Sequence, residues 1–166
     1  MNRPQRQPAG GIHVRGRAAP STQVSIQRLQ LYDVRELWYA ILPRGWVSLA
    51  LVSPQPTPRT LGLARSLAAF GAQTLGRPVE LIDATELDLA RVGMITQRLA
   101  PPGLGQQQFV VGLDAPIVNP LAMGVMGACD SALLVLQRGH TTIPNARRTV
   151  EIIGRERLLG AVIAPE

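Results

Sequence analysis

Five apolar runs of strand length, Trp46–Val52, Val79–Ile82, Phe109–Leu113, Ala132–Leu136 and Leu158–Ile163, alternate with stretches of helical spacing, and this order constrains the fold more than any other feature of the sequence. Runs that are apolar throughout, rather than at every second residue, predict strands buried on both faces. Strands alternating with helices predict an α/β domain: a doubly wound, mainly parallel sheet of five or more strands flanked by helices. Composition agrees, because with 46% hydrophobic but only 4% aromatic residues the core has to come from Leu, Val, Ile and Ala.

The helices between these runs carry their own start and stop signals. Asp33 is a suitable N-cap for a helix bearing Val34, Leu37, Trp38 and Ile41, which Pro43-Arg44-Gly45 ends. A second helix is expected from Thr60 to Leu75, stopping at Gly76. A third, around Glu86–Leu99, has a less regular spacing of Leu87, Leu89, Val92 and Ile95 and ends before Pro101-Pro102-Gly103. Asn119-Pro120 opens a fourth, reaching about Ala128, and Thr141, Thr142 and Pro144 start a fifth that runs to about Ile153.

Charge divides the 166 residues into two parts. All seventeen cationic residues are Arg, and Arg3, Arg6, Arg15, Arg17 and Arg28 precede the first acid, Asp33. From Asp33 onward twelve Arg face eleven acids, so the folded part of the domain expected over residues 26–166 is nearly neutral, and residues 1–25, rich in Pro, Gly, Gln and Arg, are expected to be a disordered basic arm. The arm lacks the interleaved aromatics of single-strand binders, which argues against nucleic acid as a partner. Cys129 stands alone and His13 and His140 are far apart, so no disulfide framework and no metal-ligand spacing is present. The expected compartment is the cytoplasm. Neither a signal peptide nor a membrane span is apparent, and any contact with the inner membrane is expected to run through a partner.

In a sheet of this type, ligands sit at the carboxyl ends of the strands, and the loop after the first strand is the phosphate site. That loop is Ser53-Pro54-Gln55-Pro56-Thr57-Pro58-Arg59-Thr60. Against the pattern G-x-x-x-x-G-K-[ST] it has the right length, with Ser53 and Pro58 in place of the two glycines, Arg59 in place of Lys and Thr60 retained. Pro54, Pro56 and Pro58 supply no main-chain N–H and fix φ near −65°. Proline at position 58 forbids the positive φ that glycine allows, and Arg59 keeps a charge without the compact ammonium of Lys.

Further motifs follow in register. Glu80-Leu81-Ile82-Asp83-Ala84 is similar to the second acidic motif of bacterial polysaccharide-biosynthesis tyrosine kinases, an apolar run followed by D-x-D-x-R, with Thr85 and Leu87 at its second Asp and its Arg. Phe109-Val110-Val111-Gly112-Leu113-Asp114-Ala115-Pro116 resembles the same family's Walker B strand ending in D-x-P-P, with Ile117 at the last Pro. Residues 129–142, from Cys129-Asp130 through Arg138-Gly139-His140-Thr141, resemble its A-D-x-hydrophobic strand and R-x-G-x-T exit, and Gly160–Ile163 stands at its G-V-V-x-N strand. The resemblance covers about Glu36–Ile163 and implies a P-loop NTPase-like fold of the MinD/ParA superfamily.

By that resemblance the nucleotide-site positions are Ser53, Pro58, Arg59, Thr60, Asp83 and Asp114, with no catalytic residue and no metal ligand assigned. Asp83 and Asp114 are equally explained as caps at strand ends; Asp130 is expected to form a turn and Cys129 to be a small buried residue. The family's C-terminal tyrosine cluster has no counterpart up to Glu166, and the two tyrosines, Tyr32 and Tyr39, precede the loop. The resemblance therefore implies a catalytically inactive relative without a bound cofactor, an interaction component of exopolysaccharide, capsule or holdfast synthesis and export. Its implied partners are an inner-membrane co-polymerase or chain-length protein, an active kinase, and further copies of itself through the helix that includes Asp33–Trp38. Two alternatives stand beside it: an active ATPase or kinase using Arg59 and a magnesium-organising Asp114, and a MinD/ParA-like positioning factor using the basic arm.

Overall fold

The computed structural model describes residues 29–30, 33–100 and 107–164; the basic arm expected over 1–25 lies outside them. Six parallel strands, β1 (Leu29–Gln30), β2 (Ser48–Val52), β3 (Val79–Ala84), β4 (Gln108–Leu113), β5 (Ser131–Gln137) and β6 (Leu158–Ala164), form one sheet in the order β1-β6-β5-β2-β4-β3. The five strands expected from the apolar runs are all present. The sixth, β1, is a two-residue addition paired to Val162 and Ile163 of β6, too short to carry an apolar pattern of its own. Trp46 and Val47 precede β2 rather than opening it, and Trp46 is a buried pillar whose indole N–H donates to the Ile41 carbonyl at 3.1 Å.

Five helices connect the strands: α1 (Val34–Ile41), α2 (Arg59–Leu75), α3 (Leu89–Leu99), α4 (Ala122–Ala128) and α5 (Ile143–Ile153). Their caps are mostly those in the sequence. Asp33 accepts the Arg35 N–H, Thr142 accepts that of Asn145, and Gly76 closes α2 at φ 63°. α3 begins three residues later than Glu86, because Asp88 takes the cap position and accepts the Arg91 N–H. α4 begins at Ala122: Asn119 and Pro120 form a turn before it, in which the Asn119 side chain accepts the Leu121 N–H.

Chain order and the right-handed crossover rule put α1 and α2 on one face of the sheet and α3, α4 and α5 on the other. Alternate strand residues serve the two layers accordingly. Leu49, Leu51, Val110, Leu133 and Val162 pack with Leu37 and Trp38 of α1 and with Leu63 and Leu67 of α2. Ala50, Val52, Val111, Leu113 and Leu134 pack with Ile95 of α3, Val125 of α4 and Ile153 of α5. In α2 the buried positions Thr60, Leu63, Ala64, Leu67, Ala68 and Gly71 recur at three and four residues, the stripe of a helix lying on a sheet. Each large apolar side chain buried this completely contributes about 1.5–3 kcal/mol relative to exposure.

Candidate functional site at the carboxyl rim

Because every strand runs the same way, the loops after β2, β3, β4 and β5 share one rim. β2 lies between β4 and β5 and hands the chain to α2, whereas its neighbours hand it to helices on the opposite face. Such a switch point opens a crevice beside β2. The sequence-derived positions meet there. Ser53 and Asp114 each stand two residues beyond the paired Leu51 and Gly112, and Asp83 pairs with Gly112 from the other side. The first turn of α2 presses directly on β4, since a Cβ on Gly112 would lie 3.1 Å from the Leu61 Cα.

The loop from Ser53 to Thr60 is held by its own hydroxyls. Ser53 is buried and its Oγ accepts the Gln55 N–H at 3.4 Å, while Thr57 Oγ1 accepts the Arg59 N–H at 3.3 Å. Pro58 occupies the N-cap of α2 with φ −66° and contributes no side-chain bond. Of the eight loop positions, the three prolines have no N–H and Gln55 and Arg59 have theirs engaged within the loop. Arg59 is half-buried on the first turn of α2. Beside it Thr60 is only 1% exposed, and its Oγ1, like Gln55 Oε1, is buried with no hydrogen-bond partner among the described residues.

The two strand-end acids are bound into neighbouring loops. Asp83 is exposed, and its Oδ1 accepts both the N–H and the hydroxyl of Thr85, at 3.0 and 2.6 Å. Asp114 is half-buried, and its Oδ2 accepts the N–H of Glu86 at 3.0 Å, tying the end of β4 to the loop after β3. Glu86 sits at φ 55°, the left-handed region that costs a non-glycine residue about 1 kcal/mol or more. Arg91 fixes that loop from α3: its guanidinium donates to the carbonyls of Asp83, Thr85 and Glu86 at 2.8–3.0 Å. Neither Arg91 nor the Glu86–Asp114 contact was foreseen from sequence, where an Arg on a weakly periodic helix gives no sign of what it grips.

The remaining positions are close to expectation. The exit of β5 is a closed turn in which Gln137 and Thr141 exchange hydrogen bonds at 2.9 Å, and Gly139 at φ 75° explains the glycine of the R-x-G-x-T resemblance. Cys129 is buried, and burial, reinforced by the Asp130 carboxylate, raises its thiol from 9.0 to about 12. Asp130 does more than turn the chain: from the amino end of β5 its Oδ2 accepts the N–H groups of Val47 and Ser48. Among the described residues no group of three or more His, Cys, Asp or Glu is placed to hold a metal ion, and no helix is long and apolar enough to cross a membrane.

No protein-family model and no curated protein matches the sequence. Among solved structures the chain is similar to the BceF tyrosine kinase domain, with a TM-score of 0.54 and 14% identity over 80% of this chain and 74% of that one. The parallel sheet with helices on both faces is thus a fold shared with a tyrosine kinase domain.

Proposed function

We propose that this chain is a catalytically inactive, tyrosine-kinase-like interaction domain serving bacterial exopolysaccharide, capsule or holdfast synthesis and export. The observation that carries this reading is the loop after β2, in which five of eight positions cannot direct a free N–H at an anion. The residues do not fit a magnesium-bound triphosphate. Phosphoryl transfer depends on positioning and charge stabilisation, and each aimed donor that is lost costs about 3–4 kcal/mol of barrier. Asp114, the acid a magnesium site would use, holds the Glu86 N–H through its Oδ2. The motif resemblance supports the pathway, and with it a partnership with a membrane-embedded co-polymerase or chain-length protein and an active kinase.

Calorimetric titration of the full chain with MgATP and with MgADP tests the inactive site. No binding is expected at nucleotide concentrations up to about 1 mM, where free energies weaker than about −4 kcal/mol go undetected. Micromolar binding, abolished by Arg59→Ala, would replace this reading with a variant-loop ATPase, for which the buried, unpartnered Thr60 Oγ1 at the start of α2 is the favouring observation.

A further inference from the structure

We infer that the flank of the molecule formed by α5 and the turn before it binds directly to the surface of an anionic lipid bilayer. Between Ser131 and Ala164 the cations are Arg138, Arg147, Arg148, Arg155 and Arg157, against only Glu151 and Glu156. Between Pro78 and Asp130 the balance reverses, with Arg91 and Arg98 against six acids. Charge is therefore segregated across the sheet, and α5 lies at its positive end. Thr149 and Ile153 face the core, so the opposite side of α5 presents Ile143, Arg147, Arg148 and the single acid Glu151 to solvent, with Arg138 and Arg155 exposed at either end. The guanidinium groups of Arg138, Arg147, Arg148 and Arg155 make no hydrogen bond or salt bridge to any described residue; the one salt bridge among those residues joins Arg98 to Glu80.

Two further observations select a bilayer. Ile143 is 78% exposed, the most exposed large apolar side chain among the described residues, and it sits in the first turn of α5 one turn before Arg147. An exposed apolar side chain with guanidinium groups on the same flank matches a lipid interface, where the side chain enters the acyl boundary and the Arg residues pair with phosphates. A duplex offers the phosphates but no apolar phase. Secondly, residues 1–28, with five Arg and no acid, join the described structure at β1, which pairs with β6, the strand into which α5 leads.

Co-sedimentation of the full chain with phosphatidylcholine vesicles containing about 30% phosphatidylglycerol is the test, with pure phosphatidylcholine vesicles and duplex DNA as comparison ligands. The chain is expected to bind the anionic vesicles and not the neutral ones, and to release them as salt rises from about 0.05 to 0.5 M. Arg147→Gln with Arg148→Gln should lower partitioning about 25-fold, and Ile143→Ser about fivefold. Arg65→Gln, an exposed cation of α2 on the other face of the sheet, should change it less than about twofold. All these positions are exposed, so circular dichroism should show the fold unchanged. Failure to bind anionic vesicles at low salt, equal losses from Arg65→Gln and from the α5 variants, or tighter binding to DNA than to vesicles would each overturn the inference.

Discussion

Ser48 and Asp130 hold each other by two reciprocal hydrogen bonds: the Ser48 N–H donates to Asp130 Oδ2, and the Asp130 N–H donates to Ser48 Oγ, each at 3.0 Å. The same Asp130 oxygen accepts the Val47 N–H at 2.7 Å. The pair pins the start of β2, the strand that leads to the candidate site, against the start of β5, and so fixes how the two strands enter the sheet.

Asp130→Ala removes the acceptor of two main-chain donors. Asp130 is exposed, so water recovers part of the loss, and a destabilisation of about 1–3 kcal/mol is expected. Urea denaturation measures it; a midpoint equal to that of the unmodified chain would show that the clamp contributes nothing.

Two glycines of α2 should respond to Ala with opposite signs. A Cβ on Gly71 would overlap the ring of the fully buried Trp38, which is itself wedged edge-on against Trp46 with ring centroids 5.6 Å apart. Gly71→Ala is expected to cost about 1–3 kcal/mol through overpacking. Gly62 is exposed, with nothing within 4 Å of a Cβ, so Gly62→Ala should stabilise by about 0.5–1 kcal/mol through helix propensity alone. Thermal melting of the two variants side by side gives both signs.

The thiol of Cys129 keeps its proton in the folded chain at a pH where an unfolded chain has lost it. Below pH 9 both states are protonated and the residue has no influence on stability. Between pH 9 and about 12 the unfolded state binds fewer protons, so stability falls as pH rises. Cys129→Ser should flatten the alkaline decline relative to the unmodified chain, read from urea midpoints across that range. Below pH 9, thiol-specific reagents should label Cys129 only through transient opening of the fold.

Much of this architecture was present in local sequence. Apolar runs predicted β2 through β6 within a residue or two, since a strand buried on both faces admits few other residue types, and Asp33, Gly76 and Thr142 marked helix ends because capping is local chemistry. The proline pattern from Ser53 to Thr60 was equally legible: a missing N–H belongs to the residue and not to the fold. Contacts between distant segments were not. Asp130 grips Val47 and Ser48 across 83 and 82 positions, Asp114 reaches Glu86 across 28, and β1 exists only because β6 offers it an edge. Residue type alone cannot say which partner a carboxylate will find, because that depends on which strand ends the tertiary fold brings within hydrogen-bonding distance.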